Sequence, residues 1–596
     1  MKLSDYVFQF VRSLGVKHVF YLPGGGAMHL DDSLGHTEGL IPVCMLHEQA
    51  CAIASEAYAR ISESYAVCVV TSGPGATNAL TGLLGAWLDA TPVLFLSGQV
   101  KRADRVNGQG IRQFGIQEVS IVDMVRSVTK YAVQIEDPKD VRYELEKAAS
   151  LARTGKPGPV WLDIPLDIQA SQIDPDTLHG FEEPPAAFEC STSDISETIH
   201  LFNEAKRPLL LLGHGVRMAK AIPEMRELIE LLQVPVMTTW NGVDLIEDDH
   251  PLFYGRPGAV GHRHANFIQQ NADFVLTIGT RLNLLSTGYD FDSFLRHAKH
   301  VMVEIDEHEL RKCSVHPALA VHADAKSFLA RLLARKRELD VSKRANWLAY
   351  CRDLKEKYPL FIPEQVPDAA GINPYTLINR LTRRLGSEDI YQFTSSGTAA
   401  DIAMYAFKVK KGQRAFLTKG LASMGYDLPA CIGSCIASGG RRTVCVTGDG
   451  GFLMNIQELE TLRRLDLPIK ILIIDNDGYG MIYNSQAGNF KRLTGCTSDS
   501  GLSLPSLAKV AQAFGIATST ICDEAELDEK LDALLASNGP HVCIVKAFIG
   551  QRITPRQTNY MRPDGQMASR PLEDMSPLLA REEYQSNMIS EIDRQS

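Results

Sequence analysis

Residues 448–482 read GDGGFLMNIQELETLRRLDLPIKILIIDNDGYGMI, and this stretch decides how the chain is to be read. Gly448-Asp449-Gly450 follows an apolar run from Thr443 to Val446, and Asp475-Asn476 closes a second run, Ile471 to Ile474. Residues 451 to 475 lie between Gly450 and Asn476, enough for one crossover helix and a parallel return strand. Such a unit brings Asp449 and Asn476 together at the carboxyl ends of neighbouring strands, where open α/β sheets bind ligands. One carboxylate and one amide oxygen suit an octahedral Mg²⁺ that also holds phosphate oxygens. The glycines beside them let backbone N–H groups approach a diphosphate, and the helix that follows directs its positive end there. Two unrelated turns, Asp-Gly and Asn-Asp-Gly, are the alternative, but they do not account for a pair set at two strand ends.

The chain has 596 residues, room for three or more domains, and its 45% hydrophobic and 22% charged residues supply a large core. A net charge of −10 argues against a nucleic-acid partner. No apolar run approaches the roughly 18 residues of a membrane span. The N-terminus, MKLSDYVFQFVRSLGV, has helical spacing rather than the layout of a secretory signal. The 12 cysteines lack CxxC spacing, which predicts reduced thiols in a cytoplasmic protein.

The expected fold class is α/β, with three doubly wound parallel-sheet domains. Residues 1–175 alternate helical and strand-like patterns, with strands expected around 16–22, 66–71, 93–97 and 160–164. Residues 172–192, rich in Pro and acidic side chains, read as a linker. A second block spans 190–340, and the charged stretch from about 335 to 368 reads as a helix followed by a connector. A third block, 371–550, carries the opening motif. The polar tail, 551–596, reads as a surface extension or an active-site lid. Neither Pro23-Gly24-Gly25-Gly26 nor Gly213-His214-Gly215 has the GxGxxG spacing of a dinucleotide site.

The 448–482 stretch closely resembles the cofactor signature of thiamine-diphosphate (ThDP) enzymes. The resemblance implies that Asp449 and Asn476 give side-chain oxygens, and Gly478 a backbone carbonyl, to Mg²⁺. It places Gly397, Thr398, Ala422, Gly448, Gly450, Gly451, Gly480 and Met481 around ThDP, with Met424 wedging the cofactor into a bent shape. Glu48, in His47-Glu48-Gln49-Ala50 before an Ala-rich helix, matches the glutamate that activates the cofactor's aminopyrimidine, with His47 a structural neighbour. Pro23-Gly24-Gly25-Gly26 matches the turn beside the reacting carbon, and Gly73 and Asn78 fall in a second such turn. Gly25, Gln117 and His29 are the further candidates for groups near the reacting atoms. The three blocks are then pyrimidine-binding, central FAD-type and diphosphate-binding domains. The resemblance also implies a homodimer or homotetramer with active sites at the subunit interface.

The match is co-linear from about residue 3 to 550 and lies in the acetohydroxyacid-synthase-like group. Gly213, Gly215, Gly279, Thr280, Arg281 and Asp306 are placed for FAD, which several relatives have lost. Where the synthases carry an Asp-Arg pair, this chain has Leu284-Leu285; their lysine is Leu166, their phenylalanine Ile116, and their tryptophan gives way to the Tyr483–Gln486 segment. Losing two cations removes charge-assisted bonds to an anionic acceptor. The chain moreover resembles thiamine flavoproteins of branched-chain nucleotide-sugar biosynthesis in Arg112–Glu118 and Ala568–Met575. The expected function is therefore a ThDP- and Mg²⁺-dependent decarboxylase and carboligase. It would act on pyruvate or a close 2-keto acid and pass the acetyl unit to a carbonyl acceptor, a nucleotide-linked keto-sugar. The alternatives are an acetolactate synthase condensing two pyruvates and a simple 2-keto acid decarboxylase. A further alternative, an inactive ThDP-fold regulatory subunit, predicts erosion at Glu48, Asp449 or Asn476, and all three are intact.

Overall fold

The computed structural model describes residues 1–185, 188–342, 344–360, 362 and 371–589. Most of the expected connector near 361–370, two residues of the expected linker and the last residues of the tail lie outside the described residues. Three parallel sheets organise the chain, as expected. In the first, Ile41–Cys44, His18–Tyr21, Ala66–Val70, Val93–Gln99, Val160–Pro165 and Tyr131–Gln134 lie in that order, every neighbouring pair parallel. In the second the order is Leu319–His322, Lys299–Glu304, Phe274–Ile278, Pro208–Leu212 and Val236–Thr238, again parallel. In the third, Ile390–Phe393, Thr443–Gly448, Ile469–Asp475, His541–Lys546 and Ala517–Ile521 are successive parallel neighbours. Inner strands such as AVCVV (66–70) and PLLLL (208–212) are buried at every position. Parallel sheets need this continuous apolar pattern because helices cover both faces.

The described chain forms two compact units. One comprises Met1–Pro185, Glu388–Ala399 and Thr418–Ile549, and so holds most of the first and third sheets; the other comprises Ala186–Ser387, Ala400–Leu417 and Gly550–Ser596. In the first unit the helix Glu48–Ser62 is buried almost all round. Its alanines make that placement feasible. A Cβ on Gly433, in the helix Asp427–Ala437, would lie 2.1 Å from the Ala54 carbonyl oxygen, and one on Gly82 would lie 2.4 Å from the Ala52 Cβ. Only glycine allows backbones this close.

The same helix buries charge. Arg60 Nη1 lies 3.3 Å from Glu56 Oε1 and 3.6 Å from Asp89 Oδ2, while the Tyr426 hydroxyl donates to Glu56 Oε2 at 2.6 Å. Burial pushes the Glu56 carboxyl up, with the Arg60 guanidinium pulling it back. Arg60→Met keeps an apolar stem but leaves two carboxyl groups without their cation. The variant should lose about 3–5 kcal/mol of stability, read from the urea unfolding midpoint. An unchanged midpoint would show that the network contributes nothing as an ion cluster.

In the second unit the tail, expected as a surface extension or lid, keeps an exposed hairpin but sends its later residues into the interior. Asn559–Met561 pairs antiparallel with Met567–Ser569. Leu572, Tyr584 and Met588 join a core that contains Phe267, Ile268 and Trp347. Glu573, fully buried, meets Arg296 at 2.8 Å and accepts from the Tyr584 hydroxyl at 2.9 Å. Among the described residues no helix is long and apolar enough to cross a membrane.

Candidate active site

The strands Thr443–Gly448 and Ile469–Asp475 pair in parallel with Gly448 opposite Ile474, so Asp449 and Asn476 emerge side by side. Asp449 opens the short helix Asp449–Leu453 and is buried. Its Oδ1 accepts from Gly450 N at 2.7 Å, and its Oδ2 from Asn476 N at 3.0 Å and Gly478 N at 3.2 Å. Burial pushes this carboxyl up to about 6 against the pull of those three donors. A cation beside it would favour the charged form. Gly478 has no room for a side chain, because a Cβ there would lie 2.1 Å from the Cys496 carbonyl oxygen.

Two polar atoms next to this carboxylate are unspent. Asn476 Oδ1 and the Thr398 hydroxyl oxygen are buried and have no hydrogen-bond partner among the described residues. Both residues face Gly480, whose Cβ would lie 3.1 Å from Asn476 Nδ2 and 3.4 Å from Thr398 Oγ1. A buried polar atom left unpaired costs about 1–3 kcal/mol, which a ligand reaching it would restore. Among the described residues no group of three or more His, Cys, Asp or Glu could hold a metal. A hard cation here must therefore share its ligands with an incoming oxygen donor, and Mg²⁺ carried with a diphosphate fits that requirement. Gly397, with φ +81°, opens the helix Gly397–Ala406, and Gly480 opens Gly480–Asn489. Met424 is half-buried on a tight loop between Ala422 and Gly425, at φ +56° and +80°. Gly448 and Gly450 flank Asp449, Gly451 follows, and Met481 is 40% exposed.

The first sheet supplies the second set. Glu48 is 8% exposed and begins its helix after the capping residue His47, whose Nδ1 accepts from Gln49 N at 3.0 Å. The structural part expected of His47 is thus a helix cap. Glu48 Oε2 accepts from Asn78 Nδ2 at 3.0 Å, so Asn78 orients the carboxyl group. Gly24 N donates to Asp31 Oδ2 at 3.1 Å and Gly26 N to Thr71 Oγ1 at 3.0 Å, tying the turn after Pro23 to the helix that follows it and to the end of the neighbouring strand.

A cavity of about 430 Å³ opens beside this turn, lined by Gly25, Ser72, Gln117 and Leu166 among others. Gln117 has φ +64°, and Gly73, at φ +61°, packs so closely that a Cβ would lie 2.8 Å from the Gln117 carbonyl oxygen. Glu118 shapes the loop: its Oε2 accepts from Phe114 N at 2.9 Å and Gly115 N at 3.1 Å. His29 is half-buried on the helix Met28–His36 and is not part of the lining.

In the second unit, Gly213 N donates to Ile278 O at 3.0 Å and Gly215 N to Gly279 O at 2.8 Å. A Cβ on Gly213 would lie 2.3 Å from Gly279 O, and Gly279 has φ +59°. These glycines are required by the packing of two strand ends, whatever binds there. Thr280 Oγ1 accepts from Leu282 N at 3.4 Å, Arg281 O accepts from the Lys312 ammonium, and Asp306 caps the helix Glu307–Leu310.

Two features of the site were not anticipated. Asp427, buried beneath Gly451, accepts from the Thr447 hydroxyl; a carboxylate in the first turn of a helix was its signal. Lys101 and Asp104 line the cavity; Lys101 follows closely on the carboxyl end of a buried parallel strand, a position that favours ligands.

Comparison with known proteins points the same way. The N-terminal TPP binding domain of thiamine pyrophosphate enzymes matches residues 1–124, their central domain 195–332, and their C-terminal TPP binding domain 395–545. A probable acetolactate synthase large subunit of Methanocaldococcus jannaschii is 32% identical over 559 residues, covering 91% of each chain. The acetolactate synthase isozyme 2 large subunit of Escherichia coli is 30% identical over 576 residues, covering 97% of this chain and all of its own. A third relative, the acetolactate synthase large subunit of Cyanidium caldarium, is 32% identical over 545 residues. With both halves of the site present and the whole architecture matched, the chain belongs to the thiamine pyrophosphate enzymes, in their acetolactate-synthase-like group of carboligases.

Proposed function

We propose that the protein decarboxylates pyruvate, or a close 2-keto acid, and joins the acetyl unit to a second 2-keto acid, as an acetolactate synthase does. The observation that carries the reading is the unspent Asn476 and Thr398 oxygens beside a buried Asp449. Asp449, Asn476 and the Gly478 carbonyl would hold Mg²⁺, and Thr398 a diphosphate oxygen. ThDP, when bound, supplies the electron sink that lets carbon dioxide leave a keto acid. Glu48 holds the proton exchanged with the cofactor's ring nitrogen; with Oε2 held by Asn78, Oε1 is the oxygen left to carry it. Gln117 and the Gly25 turn border the cavity that receives substrate, where excluding water keeps the acetyl unit for the acceptor.

The choice of a keto acid as acceptor follows the names of the relatives, all acetolactate synthases or their large subunits. The neutral keto-sugar acceptor expected from Leu166 and Leu284-Leu285 finds no support among them. FAD in the second unit is compatible with this reading, whose net chemistry is redox-neutral, and the packing of Gly213, Gly215 and Gly279 does not by itself call for it. A homo-oligomer with shared sites, open to further subunits, accords with the large-subunit relatives.

The test is incubation with pyruvate, ThDP and Mg²⁺, with carbon dioxide and acetolactate followed together. Both are expected, in a ratio of one to one. Carbon dioxide without acetolactate would leave a simple decarboxylase. A keto-sugar consumed with a higher kcat/KM than pyruvate as acceptor would restore the sugar reading.

A further inference from the structure

We propose that Lys101 holds the carboxylate of the acceptor keto acid in the cavity beside the Gly24–Gly26 turn, and thereby sets the preference for anionic acceptors. The inference rests on the carboligation proposed above and concerns the one step that chooses between acceptors.

The charge inventory of the cavity carries the argument. Its lining consists of glycines, Ser72, Gln117, the apolar Val100, Phe114, Ile116 and Leu166, and one charged group of each sign, Lys101 and Asp104. Two arginines of the same loop are engaged elsewhere, and a third, Arg112, is exposed and is not part of the lining. Arg102 Nε meets Asp167 Oδ2 at 2.7 Å, and Arg105 Nη2 meets Glu136 Oε2 at 2.7 Å. Lys101 makes no side-chain hydrogen bond or ion pair with any of the described residues. Its ammonium is the cation left to this cavity.

The apolar lining fits the methyl and ketone portion of a keto acid but offers its carboxylate nothing. Such a group, brought against this lining without a partner, would lose part of its hydration and gain nothing in return. An ammonium at the rim changes that balance, because a charge-assisted bond is about twice as strong as a neutral one. Asp104 bears the opposite sign and repels an anion, so a carboxylate is directed to the Lys101 end rather than spread over the cavity. The absence of a cation at Leu166 is thus offset from another part of the same lining. The elongated Lys101 stem also allows a reach that a short side chain would lack.

The experiment gives the donor-charged enzyme two acceptors at once. Pyruvate as acceptor yields acetolactate; acetaldehyde, its neutral counterpart without the carboxylate, yields acetoin. Both products arise after the same decarboxylation, so their ratio is independent of the donor half-reaction. Products are read by NMR of the unquenched mixture at neutral pH. Lys101→Met is expected to lower the acetolactate-to-acetoin ratio by roughly tenfold or more, the discrimination expected from one charge-assisted hydrogen bond. Lys101→Arg, which keeps the charge, should hold the ratio within a few-fold of the parent. Because the Lys101 ammonium bonds to none of the described residues, thermal melts of both variants should match the parent. An unchanged ratio in Lys101→Met overturns the inference, as does an equal fall in Lys101→Met and Lys101→Arg. If the parent itself releases no carbon dioxide from pyruvate, it is the proposed carboligation that fails, and the two failures are told apart.

Discussion

Glu48→Gln should leave a folded protein that still takes up ThDP but consumes pyruvate on the order of 10²–10⁴-fold more slowly. Glutamine is nearly isosteric, and its amide oxygen can receive the Asn78 N–H that now goes to Oε2. What it cannot do is hold an exchangeable proton at that position. The loss should therefore sit in kcat, with ThDP affinity little changed. Asn78→Ala should reproduce a milder form of the defect, since it frees the carboxyl group without removing it. Pyruvate consumption measured at saturating ThDP, beside a ThDP titration, separates these effects. Near-normal turnover in Glu48→Gln would remove Glu48 from the chemistry.

Asp449→Ala should weaken ThDP binding in the presence of Mg²⁺ by at least about a hundredfold, because the diphosphate then meets a cation with no carboxylate beneath it. Calorimetry with ThDP, at fixed and at varied Mg²⁺, is the direct measurement; unchanged affinity would refute the ligand assignment. The pH dependence has a definite sign. The carboxyl of the metal-free protein is pushed up to about 6 by burial, so protons compete with the metal and affinity should fall as pH drops through that value. Stability of the metal-free fold runs the other way. A folded value above the unfolded value of about 3.9 contributes stability fully present below that unfolded value. That contribution is lost as pH rises through about 6.

The three sheets were legible because continuous Val, Ile and Leu runs such as Ile471–Ile474 have one structural use in a protein this size. The pairing of Asp449 with Asn476 was legible because a crossover of fixed length forces neighbouring strand ends together. The hydrogen bond from Asn78 to Glu48 was not, since it joins two turns that approach only after the first sheet has formed. Lys101 was hidden for a different reason. In Lys101-Arg102-Ala103-Asp104-Arg105 it looks like one charge in a solvated loop. Its place in the cavity lining, together with the pairing of Arg102 with Asp167 and of Arg105 with Glu136, is what singles it out. The tail's place in a core is hidden because strands of three residues and a helix of six are too short to show a period. Of the three leucines read as missing charges, Leu166 lines the cavity and Leu284 and Leu285 do not; under the proposal above, Lys101 makes up for the cation missing at 166.

The residues from Leu572 to Met588 complete a core whose other members, Phe267 and Trp347 among them, lie more than two hundred positions earlier. During synthesis that core must wait, with its apolar side open, until the residues from Leu572 to Met588 leave the ribosome. A chain growing at about 5–20 residues per second spends on the order of ten seconds or more in this state. The second unit therefore waits with the kind of apolar surface that a holding chaperone binds, and a premature stop before Leu572 should yield insoluble chain rather than a shorter enzyme.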